Sequence, residues 1–268
     1  MPGYARIVTK ATAAAFFDLD KTIIATTSTS AFARNFYARG LVSRADALRS
    51  AYAHFLYLVG SADADQTERL RAQLSTLVAG WDVAQVEEIV ADALDSTINP
   101  HVYQEAVELI RRHHEGGLDV IIVSASAAEL VQPIAAVLGA DGFVATHMEI
   151  VDGHYTGMID FYAYGEHKAD AIRTLASERG YDLDASYAYS DSITDLPMLD
   201  VVGHAFAVNP DKALRAAALE KGWGVLAFGR PVSLRSALTS RPALAVAGAV
   251  TAAGVGAVVW RALRRRGA

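Results

Sequence analysis

Hydrophobic residues along this chain follow two alternating patterns, one typical of buried strands and the other of amphipathic helices. Short apolar runs of the first kind lie at residues 13–17, 118–123, 186–190, 204–208 and 225–228. Helical patterns separate them, at residues 101–114, 127–138 and 165–178 and from residues 197 and 211 onward. Alternation of this kind predicts an α/β domain built on a Rossmann-like parallel sheet.

One segment departs from this alternation and indicates a hairpin. Residues 143–150 and 154–159 both carry a strand pattern, and Asp152-Gly153 lies in the short connection between them. An Asp-Gly pair supplies the backbone conformation that a tight hairpin turn requires.

A long helical insert interrupts the domain near its start. Helices are predicted at residues 29–39, 43–59, 65–79 and 82–96, and glycines follow the first three. No strand pattern occurs in this stretch. We therefore expect an all-helical cap at 26–99, inserted into a discontinuous core of residues 1–25 and 100–228.

The C-terminal end has a different composition. After a linker at 229–241, residues 242–260 contain no charged side chain, and Arg261 and three more arginines follow within the tail 242–268. Nineteen uncharged residues are just long enough to span a bilayer. The pattern favours a membrane anchor, and its alternatives are a helix lying on a surface, a helix docked on protein and a disordered tail.

Composition narrows the range of functions. Of 268 residues, 52% are hydrophobic, which is enough for a large core, and the net charge of −6 argues against nucleic acid as the main partner. The chain has no cysteine. That excludes disulfides, thiolate zinc sites and cysteine nucleophiles, and it fits a cytoplasmic catalytic domain. The oligomeric state cannot be inferred from the sequence.

The polar residues with chemical potential follow predicted strands. Asp18 and Asp20 come after the first strand, Ser124 after the second and Asp191 after the third. Residues i and i+2 of an extended segment share a face, and ligands of parallel sheets bind at the carboxyl ends of strands. Each residue also has an ordinary interpretation, such as a solvated loop for the acids and a helix cap for Ser124.

Phosphoryl transfer is the chemistry that suits this set. Magnesium takes oxygen ligands and lies between carboxylates and phosphate, and a carboxylate can itself act as the nucleophile. The transferred group needs N–H donors and positive charge on its oxygens. Lys168 lies in the first turn of a predicted helix, where its charge opposes the helix dipole, so a nearby anion would explain it, although it could also be a surface lysine.

Four motifs in order resemble those of the haloacid dehalogenase superfamily, in its phosphoserine phosphatase-like branch. They are DLDKT at 18–22, VSAS at 123–126, Lys168, and SDSITDLPM at 190–198. The similarity covers roughly residues 13–228 and includes the helical insert after the first motif.

The resemblance implies a role for each residue. Asp18 is expected to be the nucleophile and a Mg²⁺ ligand, and Asp20 the general acid/base that also binds Mg²⁺ through its backbone carbonyl. Phosphate is expected to bind Ser124, the turn residue Ala125 and Lys168. Asp191 is the third expected ligand to Mg²⁺, and Asp195 is expected to orient the metal site. The substrate would be a small phosphorylated molecule.

The sequence also departs from that branch. A glutamate that meets the amino group of phosphoserine is usual shortly after the first motif, but residues 25–28 read ATTS. The second motif has SAS where SGG is more usual. These departures favour a phosphomonoester other than phosphoserine. The apolar tail leaves open a lipid phosphate at the membrane, and a non-catalytic regulator that binds phosphate is the remaining alternative.

Overall fold

The computed structural model describes residues 11–42, 75, 77–229 and 231–232. Its main sheet has seven strands in the order β5-β4-β3-β1-β6-β7-β8, and every neighbouring pair is parallel except β4 and β5. The strands are β1 (Ala14–Phe17), β2 (Val102–Tyr103), β3 (Asp119–Ala127), β4 (Gly142–Val151), β5 (His154–Phe161), β6 (Tyr187–Ser190), β7 (His204–Val208), β8 (Gly224–Leu226) and β9 (Pro231–Val232).

Helices cover this sheet and continue into the region of the insert. They are α1 (Ser28–Ala38), α2 (Val83–Ile98), α3 (Gln104–Glu115), α4 (Ala128–Leu138), α5 (Glu166–Arg179), α6 (Leu196–Asp200) and α7 (Lys212–Lys221). Thr27 begins α1 as its N-cap, because its hydroxyl accepts from the N–H of Ser30. Asp211 caps α7 in the same way through the N–H of Leu214.

The central strand is buried on both faces. Phe17 and Ile122 pack on one side with α1 to α4, whereas Phe16 and Ile121 pack on the other with α5, α6 and α7. Neighbouring residues of a strand point to opposite faces, so β1 must be apolar at each position. The first polar side chain therefore appears only where the strand ends, at Asp18.

The predicted α/β class and its parallel sheet are confirmed. The hairpin turns at Asp152-Gly153, and β4 and β5 are antiparallel as predicted. Strand β3 continues four residues beyond the predicted end at 123, because residues 124–127 stay extended before α4 starts. A short pair that the pattern did not predict joins β2 to β9, whose residues 231–232 fall in the predicted linker.

Three predictions fall wholly or largely on residues that the structure leaves undescribed. The predicted helix at 43–59 lies outside the described residues, as does most of the one at 65–79. The apolar tail 242–268 also lies outside them. None of the helices in the described part of the chain is both long and apolar enough to cross a membrane.

A histidine of helix α3 is buried against the aromatic residues of the sheet. Phe17 stacks on Tyr189 with ring centroids 4.4 Å apart, and the Nε2 atom of His113 lies 2.8 Å from the Tyr189 hydroxyl oxygen. Burial lowers the pKa of His113 to about 4, and the nearby His114 adds to this effect. The neutral ring is therefore the form that the fold accommodates.

This histidine should make the fold sensitive to acid. The unfolded chain takes up the proton near pH 6.5 and the folded chain near pH 4, so the stability from neutral His113 is lost as the pH falls through that window. Between pH 7 and pH 5 we expect a loss of about 1–2 kcal/mol from this residue, measured by urea unfolding. His113→Gln should reduce the difference between the two pH values, whereas His154→Gln on the exposed hairpin should not. Equal differences in wild type and His113→Gln would contradict this assignment.

Candidate active site

The predicted acids meet at the carboxyl edge of two neighbouring strands. Phe17 of β1 pairs with Tyr189 of β6, and the N–H of Asp18 donates to the Tyr189 carbonyl at 2.9 Å. Asp18 thus leaves the sheet beside Ser190, which ends β6, and Asp191, which follows it. Asp195 follows in a 3-10 turn at Ile193–Asp195 and is buried.

Lys168 connects the acid that follows β1 with an acid that follows β6. Its Nζ atom lies 2.8 Å from Asp18 Oδ1 and 2.8 Å from Asp195 Oδ2, and the side chain is only 3% exposed. Burial alone would lower the pKa of Lys168, but the charges of Asp18 and Asp195 outweigh it and raise the pKa above its usual value. Lys168 therefore stays protonated between two carboxylates.

The start of helix α5 places this lysine. Gly165 precedes the helix with φ 55° and ψ −126°, a conformation that glycine adopts and residues with a side chain avoid. The Lys168 N–H donates to the Gly165 carbonyl at 3.1 Å. Because the helix begins directly after Gly165, Lys168 in its first turn reaches Asp18 at the carboxyl end of β1.

Asp195 receives a second donor from the sheet. The Ser190 hydroxyl donates to Asp195 Oδ2 at 2.7 Å, so the same oxygen accepts from Ser190 and Lys168. These contacts fix Asp195 against the lysine. Asp195 is thereby connected to Lys168, the residue that also holds Asp18.

The carboxylates of the site disfavour one another's charge. Burial raises the pKa of Asp18 well above its usual value; Lys168 opposes this, whereas Asp195, Asp191 and Asp20 add to it. Burial also raises the pKa of Asp191 to about 7, with Lys21 opposing the rise and Asp195 adding to it. Negative charge is in excess here when all four acids are ionised.

That excess suits a divalent cation. Asp18 and Asp191 present carboxylate oxygens at one edge, and oxygen donors of this kind are those that Mg²⁺ takes. Within the described ranges, no set of three or more His, Asp or Glu side chains is arranged to hold a metal. The predicted donor set differs from such a set, because one of its three protein ligands is the backbone carbonyl of Asp20.

Asp20 lies beside Asp18 but has different neighbours. Its Oδ1 accepts from the N–H of Ser28 at 2.8 Å, and its Oδ2 accepts from the Ser126 hydroxyl at 3.2 Å. Burial raises the pKa of Asp20, and the hydrogen bonds from Ser28 and Ser126 limit the rise. One DxD motif thus contains one carboxylate bound to a lysine and one held by serines.

The turn after β3 adds hydroxyl and backbone groups. Pairing of β3 with β4 is irregular between Val123 and Ala127, so the intervening residues leave the regular ladder. Ser124 is 1% exposed, and its hydroxyl oxygen accepts from the N–H of Ser126 at 3.2 Å. The Thr146 hydroxyl holds the turn from the other side by donating to the Ala125 carbonyl at 2.7 Å.

Several residues at the site were not singled out from the sequence. Ser190 holds Asp195, Ser28 and Ser126 hold Asp20, and Lys21 adopts a left-handed φ of 61° and lies close enough to Asp191 to lower its pKa. Serines are common in loops, so their type carries little information. Lys21, Ser126 and Ser190 lie within the predicted motifs and Ser28 lies shortly after the first of them, and that position was the available signal.

Known proteins share this chain's sequence and fold. Residues 15–200 match the family model described as haloacid dehalogenase-like hydrolase. A Mycobacterium tuberculosis protein named "Probable phosphatase" is 52% identical over 260 residues, 96% of this chain and 91% of its own length. A phosphoserine phosphatase of Mycobacterium tuberculosis is 35% identical over 245 residues, 90% of this chain and 80% of its own.

A solved structure agrees with the fold. A substrate-bound phosphoserine phosphatase superposes with a TM-score of 0.59 at 20% sequence identity, covering 86% of this chain and 98% of that one. At this identity the likeness shows the fold alone.

Proposed function

Because the chain belongs to the haloacid dehalogenase-like hydrolases, as a phosphatase of the phosphoserine phosphatase-like branch, we propose a Mg²⁺-dependent phosphomonoesterase that works through an aspartyl-phosphate on Asp18. The observation that carries this proposal is the buried contact of Lys168 with Asp18 at 2.8 Å. It holds one oxygen of the carboxylate and leaves Oδ2 to attack.

In the first step the Asp18 carboxylate attacks phosphorus. The new bond joins Asp18 oxygen to phosphorus, and the bond between phosphorus and the leaving oxygen breaks. Asp20 gives its proton to that oxygen, so the substrate leaves as an alcohol. Burial raises the pKa of Asp20, which favours the protonated form that this step needs, although the hydrogen bonds from Ser28 and Ser126 act in the opposite direction.

In the second step water replaces the enzyme on phosphorus. Asp20, now a carboxylate, takes a proton from water, and the water oxygen attacks the phosphoryl group. The bond between phosphorus and Asp18 breaks, which releases phosphate and restores both side chains. The net reaction consumes one phosphomonoester and one water and produces one alcohol and one phosphate.

Phosphate binding is assigned to the turn after β3 and to the lysine. Nζ of Lys168 has three N–H donors, and Asp18 and Asp195 use two of them. The third can donate to a phosphoryl oxygen. The Ser124 hydroxyl accepts from its own turn and keeps its proton for phosphate, next to the backbone of Ala125.

The carboxylates of Asp18 and Asp191 and the backbone carbonyl of Asp20 are the groups we assign to Mg²⁺. When bound there, the ion supplies positive charge to the phosphoryl oxygens and offsets the crowded carboxylates. Asp195 orients the site through its bond to Lys168.

The cap proposed at 26–99 would cover this edge of the sheet. Its described helices α1 and α2 contribute Phe32, Phe36 and Ile89 to the same apolar cluster as Phe17. The backbone also connects it to the hairpin, since the N–H of Gly80 donates to the Tyr155 carbonyl at 2.7 Å. A cover of this kind excludes water from the reacting groups.

The substrate class is a small phosphomonoester. Phosphoserine is the substrate named for one relative, but the stretch 25–28 offers no carboxylate for an amino group. Thr27 caps α1 and Ser28 binds Asp20, so this stretch has other contacts. We therefore keep phosphoserine as one member of the panel to be tested.

A phosphate-release panel with and without Mg²⁺ tests the function. Phosphoserine, p-nitrophenyl phosphate, β-glycerophosphate and lysophosphatidic acid should be compared, and release from at least one should stop with chelator and return when Mg²⁺ is added. Phosphate release that is unchanged by chelator would contradict the proposed Mg²⁺ dependence. No release from any phosphomonoester would contradict the function.

A further inference from the structure

The Asp20 carboxylate is held by two serines from separate parts of the chain. Ser28, the first residue of α1, donates its N–H to Oδ1, and Ser126, near the end of β3, donates its hydroxyl to Oδ2. The two hydroxyl oxygens lie 2.7 Å apart. Both oxygens of the carboxylate therefore accept a hydrogen bond, and its plane is fixed from two directions.

The hydroxyls of these serines form one cluster with the carboxylate. A serine hydroxyl has one proton, and Ser126 uses it for Asp20. The Ser28 hydroxyl lies within hydrogen-bond distance of the Ser126 hydroxyl and also bonds to Asp20, which limits the rise in the pKa of Asp20. Ser28 therefore holds Ser126 in place as well as contacting Asp20 directly.

These hydroxyls are not needed for the local folds in which they lie. Thr27 already caps α1, so helix formation does not require the Ser28 hydroxyl. The turn at Ser126 is held by the bond from its N–H to Ser124 and by Thr146 on the Ala125 carbonyl. Yet Ser28 is fully buried, where an unpaired hydroxyl would be costly. Both hydroxyls instead belong to the hydrogen-bonded cluster around the Asp20 carboxylate.

We propose that Ser126, oriented by Ser28, is a positioning residue that aims Asp20 at the leaving-group oxygen. This inference rests on the function proposed above, in which Asp20 gives its proton to that oxygen. A hydroxyl suits the task because it can keep a bond to the carboxyl group before and after the proton leaves. Neither serine contacts the substrate in this assignment.

Leaving groups of different basicity separate this role from a structural one. An aryl phosphate such as p-nitrophenyl phosphate departs with little protonation, whereas an alkyl phosphate such as β-glycerophosphate needs the proton. Because kcat/KM reports steps up to the first irreversible one, it isolates the transfer to Asp18. Partial unfolding lowers kcat/KM for both substrates alike, so their ratio is the measured quantity.

Ser126→Ala should lower kcat/KM about 10–100-fold for the alkyl phosphate and several-fold less for the aryl phosphate. Ser126→Thr keeps the hydroxyl and should restore the wild-type ratio between substrates. Ser124→Ala is the matched control, because losing a phosphate contact should lower both substrates equally. In an Asp20→Asn background, Ser126→Ala should change the ratio no further.

Each contrary outcome has a distinct meaning. Equal losses on both substrates in Ser126→Ala, or a further change of the ratio in the Asp20→Asn background, would overturn the positioning role. Asp18→Asn is run beside these variants. If it keeps normal activity, the proposed function itself fails; if it is inactive while Ser126→Ala affects both substrates equally, only the role of Ser126 fails.

Discussion

Replacing Asp18 by asparagine should lower kcat/KM for phosphomonoesters by about ten-thousand-fold or more, because the amide cannot form the acyl-phosphate bond. The variant should still fold. Asparagine has nearly the same size, its carbonyl can accept the bond from Lys168, and the change removes one of several carboxylates that crowd the site. Phosphate release and thermal unfolding measure the two effects separately.

Asp170→Asn is the matched control for this variant. Asp170 is exposed on helix α5 and pairs with Arg173, so its loss should leave turnover unchanged. Activity of Asp18→Asn within tenfold of wild type would rule out nucleophilic attack by Asp18.

Replacing Lys168 by methionine should lower both stability and activity. Methionine removes a buried cation and leaves Asp18 and Asp195 facing each other without it. Removing one partner of a buried pair costs about 3–5 kcal/mol of unfolding free energy, because the remaining charge is left unpaired. Turnover should fall with it, since Lys168 both holds Asp18 and is assigned to phosphate.

A second substitution tests this explanation of the lost stability. Asp195→Asn in the Lys168→Met background removes the stranded charge, so it should recover part of the stability and none of the activity. Arg173→Met on the exposed face of the same helix should change little, because its ion pairs lie in solvent. A Lys168→Met protein as stable as wild type would contradict the buried arrangement.

The sequence predicted the sheet because its strands have a strong local signal. The apolar run before Asp18 and residues 120–123 of β3 are buried on both faces, so every position in them had to be hydrophobic. The parallel arrangement then placed polar residues that follow such strands at one edge. Helix bounds were predicted to within a residue where a glycine marked the end, as at α1, which was predicted at 29–39 and lies at Ser28–Ala38.

The contacts within the site were less accessible from sequence. Lys168 and Asp195 were each identified, but the bond between them depends on how α5 packs under β1, which no local pattern encodes. Ser28 and Ser126 are 98 residues apart, and only the folded chain shows that their hydroxyls meet at Asp20. The extension of β3 through Ala127 likewise depends on its neighbour β4 rather than on local propensity.

The most direct test of the account is to trap the phosphoryl group on Asp18. Asp20→Asn should still react with p-nitrophenyl phosphate, which needs no proton for its leaving group, but it should hydrolyse the intermediate slowly because water lacks its base. Acid quench followed by peptide mass spectrometry should then find one phosphoryl group on the peptide that contains Asp18, and none in the Asp18→Asn/Asp20→Asn double variant. A phosphoryl group on another peptide, or steady turnover by Asp20→Asn with no labelled peptide at any time, would contradict an aspartyl-phosphate on Asp18.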